Sequence, residues 1–265
     1  MNILAVDIGN TNIKLGLFLD SSRVPSVSIA ATDSKALAAK LAELWNMVPA
    51  AKRSTEGKKE GVIVLASVNG AATEAFTALC KDELGEKVLE IGIGKDIELP
   101  IKVVTDFPAD TGIDRVLAAA AAWIVAQHAV VVADIGTAIT VDAVDEDGQF
   151  VGGVIAPGPG LCAKALHENT AKLPLVEIEQ PKLPIGANTQ KAINNGIFYA
   201  TAGLIEVSVR KFAEELGGWP QTIVTGAAGA LFKDECEFVD NFVDDLVLSG
   251  IVLAYKKHID SIPES

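Results

Sequence analysis

The sequence predicts an α/β protein made of two related halves, and three observations carry that expectation. A phrase near the start, Asp7-Ile8-Gly9-Asn10-Thr11-Asn12-Ile13-Lys14, returns in altered form as Asp134-Ile135-Gly136-Thr137-Ala138-Ile139-Thr140. Each copy stands between two apolar runs of strand length, Ile3 to Val6 and Ile13 to Leu19 in the first, Ala129 to Ala133 and Ile139 to Val144 in the second. Each therefore reads as a hairpin turning at a carboxylate and a glycine. Downstream of the first copy, strand-like and helix-like periodicity alternate in the β-α-β order of a parallel pair.

Such turns can hold phosphate. A glycine at position 9 or 136 lets backbone N–H groups approach an anion without interference from a Cβ, and the hydroxyls of Thr11 and Thr137 add donors. Asp7 would repel a polyphosphate unless a cation stood between them, which points to a hydrated Mg²⁺ on a nucleotide, and Lys14 can neutralise the remaining charge. The plainer alternative is that Asp-x-Gly only closes a hairpin. Two copies in matched context weigh against it.

Composition narrows the classes. The chain has 265 residues, enough for one large domain or two ordinary ones, and its 49% hydrophobic content argues against disorder. A formal net charge of −13 argues against a nucleic-acid or anionic-membrane surface, since both need a basic footprint. An anionic substrate would need a local basic pocket. The N-terminus shows no basic start and Asp7 cuts the first apolar run short, so no signal peptide is read and a cytoplasmic protein is expected. Val116 to Ala133 approaches membrane-spanning length but contains Gln127 and His128, and divides better into an Ala-rich helix and a strand. Cys80, Cys162 and Cys236 lack disulfide or metal spacing and read as ordinary buried or partly buried thiols. His128, His167 and His258 have no ligand spacing either and read as structural or surface residues.

In chain order, the first hairpin is followed by a third strand over Val24 to Ala30. Thr32-Asp33-Ser34 forms an N-cap cluster for a helix carrying Leu37, Leu41, Leu44 and Trp45 on one face, and Pro49 ends it. Lys52 to Glu60 is charged, without apolar period, and reads as a surface loop or mobile linker. Val62 to Ser67 is a buried strand, Ala71 to Leu84 a helix and Val88 to Ile91 a parallel strand. Gly92-Ile93-Gly94-Lys95 is not a Walker loop, because Asp96 follows the lysine and Leu89 stands where a glycine is required. After Thr111-Gly112-Ile113-Asp114-Arg115 come the Ala-rich helix and the second hairpin, whose far arm turns at Asp147-Gly148 into a strand over Phe150 to Ala156.

Gly152, Gly153, Pro157, Gly158 and Gly160 are expected to break that strand and let backbone crowd a ligand or a neighbouring strand. Gly158-Pro159-Gly160 is too loose a match to the dinucleotide fingerprint to count. A helix from about Leu161 to Asn169 leads to a connector containing Pro174, Pro181 and Pro184. Asn188 to Leu216 reads as a long helix, broken or closely packed at Gly196 and Gly203. Thr222 to Val224 is a short strand, Thr225 to Gly229 a small-residue turn, and Leu246 to Lys257 a terminal helix.

Taken in order along the chain, the two phosphate phrases, Gly112-Ile113-Asp114-Arg115, Gly152-Gly153 and Asn188-Thr189 resemble the motif set of type III pantothenate kinase, a family of the acetate kinase, sugar kinase, Hsp70 and actin superfamily. The resemblance spans essentially the whole chain. It implies two ribonuclease-H-like (actin-like ATPase) domains, residues 1–115 and 116–265, flanking an ATP cleft, and ATP-dependent phosphorylation of pantothenate, the first committed step toward coenzyme A.

The family resemblance also assigns roles. Asp7, Ile8, Gly9, Asn10, Thr11, Asn12, Ile13 and Lys14 would bind ATP phosphates, with Asp7 near Mg²⁺ through water, and Thr137 would contact ATP. Asp114 would be the catalytic base, with Gly112, Ile113, Asp114, Arg115 and Thr189 at pantothenate. Asp134 would hold a monovalent cation, K⁺ or NH₄⁺, and the enzyme would be a homodimer. On the residues alone, a carboxylate beside an Arg fork suits phosphoryl transfer to a hydroxyl on a carboxylate-bearing substrate, while Asp114 as a helix cap with Arg115 on the surface remains open. Thr189 alone could equally be a helix-initiating residue. Three positions depart from the family pattern. Thr105 stands where many relatives have a tyrosine three residues before Pro108, Ile113 replaces the usual alanine, and Ala227 replaces the second glycine of the turn near the adenosine. A kinase for another small hydroxy acid, and a nucleotide-binding regulatory relative with little activity, are the alternatives.

Overall fold

The computed structural model describes residues 1–20, 22–51 and 58–262, which form two compact units. One comprises residues 1–102, 107–121 and 247–265, the other residues 103–106 and 122–246. A cut at 115/116 would assign the terminal helix to the second half, whereas its contacts place it in the first unit.

In the first unit, β1 (Asn2–Ile8) pairs antiparallel with β2 (Asn12–Leu19), setting Asp7 opposite Lys14. The third strand is split in two. β3 (Ser22–Arg23) pairs with Phe18 and Leu19, and β4 (Val27–Ala30) pairs with Asn12 to Leu15. Pro25 lies between them and has no N–H to continue a ladder. On the other side, β1 runs parallel to β5 (Gly61–Ser67), and β5 parallel to β6 (Val88–Glu90).

Helix α1 (Ser34–Met47) starts at Asp33, whose carboxylate accepts from the Ala36 N–H at 3.0 Å, and α2 (Gly70–Leu84) at Asn69, which accepts from Ala72 N–H at 3.2 Å. The backbone turns extended at Val48, as expected of a residue before proline. Leu37, Leu41, Leu44 and Trp45 of α1 and Phe76 and Cys80 of α2 pack on Leu4, Val6, Ile8, Ile13 and Leu15 of the sheet. Most of the stretch read as a charged loop, residues 52–57, lies outside the described residues. Its flanks pair, with Ala51 N–H donating to Lys58 O at 2.8 Å and Glu60 N–H to Pro49 O at 2.7 Å.

The second sheet contains β7 (Lys102–Val103), β8 (Val130–Ile135), β9 (Ala138–Val144), β10 (Gln149–Pro157), β11 (Gln221–Thr225) and β12 (Asn241–Phe242). Its order is β12-β11-β8-β9-β10-β7. Apart from β7, this repeats the first sheet: a hairpin (β8, β9), an antiparallel third strand (β10), and two further strands parallel to the first (β11, β12). The duplication read in two short phrases is thus a duplication of topology. β10 is not broken at its glycines. It bulges between Phe150 and Gly152 and continues to Pro157, with Gly153 pressed so closely on β9 that a Cβ there would lie 2.5 Å from Asp142 Oδ1.

Helix α3 (Ile113–Ala126) precedes β8, α4 (Pro159–Glu168) follows β10, and α5 (Thr189–Leu216) runs unbroken for 28 residues. At Gly196 and Gly203 a Cβ would meet nothing within 4 Å, so neither glycine marks a break or a close contact. Their cost to the helix is offset by burial of Ile193, Ile197, Phe198, Ile205 and Val209, with Phe198 stacked on Phe232 at 4.6 Å between ring centroids. Gly203→Ala is accordingly expected to stabilise the fold by about 0.5–1 kcal/mol, read as a raised urea midpoint at unchanged m. The chain ends in α6 (Leu246–Ser261).

Burial pushes the Cys80 thiol up to about 12 and the Cys236 thiol up to about 11, the latter helped by the Glu235 and Glu206 carboxylates. An unfolded thiol ionises near about 8.5. Both thiols are protonated in either state below that pH, so their contribution to stability is complete there. It falls as pH rises from about 8.5 toward 11 and 12, because the unfolded chain releases its protons first. Urea midpoints at neutral and alkaline pH should show the loss, and Cys80→Ala/Cys236→Ala should flatten that dependence. Half-buried Cys162 should be the thiol alkylated in the folded protein.

Candidate active site

The first unit contributes two groups of predicted residues. At the β1–β2 turn, Asp7 and Lys14 are half-buried opposite partners, while Asn10, Thr11 and Asn12 form an exposed tip. Ile8 and Ile13 are buried in the core, so only their backbone can face a nucleotide. The role expected of Gly9 also changes. Its N–H closes the hairpin by donating to Asn12 O at 3.0 Å, which leaves phosphate donation to the tip residues. There Asn12 Nδ2 donates to Thr11 Oγ1 at 3.3 Å, and the Thr11 carbonyl accepts from Ala31 N–H at 2.9 Å, fixing the tip against the residue after β4.

The second group opens α3. Asp114 lies in the first turn, and its Oδ1 accepts from the Arg115 N–H at 2.9 Å. Gly112 explains how: a Cβ at that position would sit 2.7 Å from Asp114 Oδ1 and 3.4 Å from Arg115 Cδ. Any other residue would crowd the carboxylate and the guanidinium stem together. The arrangement orients a half-buried carboxylate and a half-buried guanidinium at a helix N-terminus, where the dipole favours negative groups.

In the second unit, Asp134 lies opposite Thr140 across the hairpin, and Gly136 N–H donates to Ala138 O at 3.0 Å, matching the closing bond of the first copy. Thr137 and Ala138 are exposed. Two glycines pack against this hairpin. Gly158 N–H donates to Thr137 O at 2.9 Å, and a Cβ at Gly158 would lie 2.5 Å from that oxygen and on the Gly136 carbonyl. Gly226, at φ +95°, faces the Asp134 carboxylate, with Ile135 N and O each 2.6 Å from where a Cβ would stand. Ala228 N–H donates to Ile135 O at 3.0 Å, tying the small-residue turn after β11 to the end of β8.

Thr189 is the exposed first residue of α5. Asn188 Oδ1 caps that end by accepting from Lys191 N–H at 2.9 Å. The proline-containing connector before it is fastened to α5 by two asparagines the sequence did not single out. Asn194 exchanges two hydrogen bonds with the Glu179 backbone at 2.8 and 3.0 Å, and Asn195 donates to Leu183 O and Pro184 O at 2.7 and 3.1 Å. Two grooves of this unit hold none of the residues assigned to ATP, pantothenate or a metal: one of 440 Å³ beneath Leu175 to Leu183, and one of 510 Å³ beside Asp145 to Asp147, lined in part by Gly152 and Gly153.

Among the described residues, no group of three or more His, Cys, Asp or Glu side chains is placed to hold a metal ion. The donor sets instead suit cations that share oxygen ligands with a nucleotide. Asp7 supplies one carboxylate, fitting the few protein ligands Mg²⁺ takes when phosphates supply the rest. Asp134 offers a carboxylate beside the Ile135 carbonyl, hard oxygen donors of the kind a monovalent cation accepts.

Residues 3–211 match the family model described as type III pantothenate kinase. A type III pantothenate kinase from Persephonella marina is 36% identical over 259 residues, covering 97% of this chain and 99% of the relative. The chain belongs to the type III pantothenate kinase family. Two solved structures share the fold: a Campylobacter jejuni protein named as a Baf family transcriptional activator (TM-score 0.57, 20% identity, 97% of this chain and 99% of that one), and component A of the (R)-2-hydroxyglutaryl-CoA dehydratase of Acidaminococcus fermentans (TM-score 0.55, 14% identity, 98% and 99%). With the repeated sheet order, these place a type III pantothenate kinase family member among proteins of two ribonuclease-H-like domains. Among the described residues no helix is long and apolar enough to cross a membrane.

Proposed function

We propose that this chain transfers the γ-phosphoryl group of ATP to the primary hydroxyl of pantothenate, giving 4′-phosphopantothenate for coenzyme A biosynthesis. The observation that carries the reading is the pairing, within a chain of this family, of duplicated carboxylate-glycine turns with an oriented Asp114–Arg115 pair. Phosphoryl transfer asks mainly for positioning and charge neutralisation. Arg115 binds the pantothenate carboxylate through its planar fork. Asp114 takes the hydroxyl proton as that oxygen bonds to the γ-phosphorus and the bridging P–O bond breaks, releasing ADP. Lys14, the Asn10–Asn12 tip and Thr137 hold phosphate oxygens, and Thr189 contacts pantothenate. Asp7 would hold Mg²⁺ through water, and the ion would neutralise charge on the phosphates. K⁺ or NH₄⁺ at Asp134 and a homodimer complete the reading on the strength of the family resemblance.

A second reading, a kinase for another small hydroxy acid, is favoured by Thr105 and Ile113 where the family has other residues. ADP release with Mg-ATP and pantothenate, in K⁺ and in Na⁺ and against an acceptor-free control, tests both. Pantothenate-dependent turnover is the expected result. Turnover with a different hydroxy acid alone would move the second reading ahead, and absence of turnover from folded protein would favour a regulatory relative.

A further inference from the structure

What fixes the position of Asp114 and Arg115 lies outside their own motif. About one turn further along α3, at Leu117, the terminal helix α6 comes so close that Gly250 rests on the α3 backbone. A Cβ at position 250 would fall on the Leu117 carbonyl oxygen, 2.6 Å from its carbon and 2.9 Å from Leu117 Cβ. The two nearest are helix-backbone atoms in a buried region, where no flexible side-chain end can yield.

Helix α6 is itself held at two other points. Leu248 covers Gly16 of β2, where a Cβ would lie 2.8 Å from Leu248 Cδ1, and Lys257 Nζ donates to Pro100 O at 2.8 Å. Next to the motif, Ile113 Cδ1 lies 3.9 Å from where Gly92 would carry a Cβ. The loop bearing Gly92 is closed by Asp96, which accepts from Glu90 N–H at 3.0 Å and Lys87 Nζ at 3.2 Å. The first turn of α3 thus has a neighbour at Ile113 and a stop at Leu117.

We propose that Gly250 is a positioning residue for the phosphoryl acceptor: its contact with Leu117 sets where α3 lies, and with it the Asp114 carboxylate and the Arg115 guanidinium. The inference rests on the assignment of those two side chains to the acceptor. A helix displaced by one methyl group moves both, and a misplacement of about 1 Å in a reacting group can cost about 10²-fold in rate. Alanine ordinarily favours a helix over glycine, so a loss at this position would come from the contact and not from propensity.

The test compares Gly250→Ala, Gly16→Ala and Asp114→Asn in the full chain, by steady-state kinetics and thermal melting. Gly250→Ala is expected to lower kcat at least tenfold and raise the KM for pantothenate, leaving the KM for ATP within about twofold. Gly16→Ala presses on the same helix through a leucine methyl that can rotate away, and should keep kcat within about twofold. If Gly250→Ala is poorly folded at 25 °C, cold assay in trimethylamine N-oxide restores the folded fraction without removing the clash, so turnover per folded molecule stays readable. Wild-type kcat and pantothenate KM in Gly250→Ala, beside an inactive Asp114→Asn, would overturn the positioning role alone. Equal kinetic losses in Gly16→Ala and Gly250→Ala would overturn it too, since they would follow general loosening. An active Asp114→Asn would instead remove the site assignment beneath the proposal.

Discussion

Asp114→Asn should lower kcat by about 10²-fold or more, the span ordinarily lost with a general base, and leave a folded protein. The substitution is nearly isosteric. An asparagine Oδ1 can still accept from the Arg115 N–H, so the hydrogen bond that orients the side chain survives while the capacity to take a proton is lost. The melting temperature should move little, reflecting only the loss of a negative charge at the α3 N-terminus. Since Arg115 is untouched, the KM for pantothenate should change far less than kcat, the pattern of an interaction used mainly in the transition state. Near-normal turnover would take the base role from Asp114 and leave it the helix-capping part that the sequence alone also allowed.

The parts of the molecule legible in sequence are those written in local chemistry. The two hairpins could be read because alternation and a turn glycine are encoded within a dozen residues, α1 because Asp33 caps an apolar stripe, and α2 from its apolar period. The split of the third strand was encoded too, in Pro25. What stayed illegible depends on distant partners. β7 and β12 are two residues each, too short to show a period. Nothing in Leu246 to Ser261 says that α6 packs with residues near the start of the chain. Gly196 and Gly203 looked like interruptions of α5, but the buried stripe beneath them outweighs their propensity.

The site divides in the same way. Asp7, Lys14 and Thr137 are proposed from motif chemistry, and Asp114 and Asp134 from the family resemblance. Gly158 was visible as a glycine, yet its reason is the Gly136–Thr137 backbone it crowds, and that neighbour appears only in three dimensions. Ile8 and Ile13 were drawn into the phosphate phrase by adjacency, although alternation along a strand sends their side chains into the core.

Gly226→Ala should be a strongly damaging single-methyl change in the second unit. At φ +95° an alanine is strained, and its Cβ would meet the Asp134 carboxylate and the Ile135 backbone together. Strain of this kind and a buried clash each cost on the order of 1–3 kcal/mol, so a clear fall in the urea midpoint is expected. The functional consequence follows from which atom yields. The Ile135 backbone is locked in the β8–β9 ladder opposite Ile139, whereas the Asp134 side chain can rotate. The carboxylate should therefore swing out of place, and a monovalent cation held there, as proposed, would lose its charged ligand. The K⁺ concentration for half-maximal activation should rise tenfold or more and the KM for ATP should rise with it, while the KM for pantothenate stays near its wild-type value. High K⁺ should recover part of the rate if the carboxylate is only displaced, a recovery that Asp134→Ala should lack. An unchanged K⁺ response in folded Gly226→Ala protein would mean that the cation, if one is used, is held elsewhere.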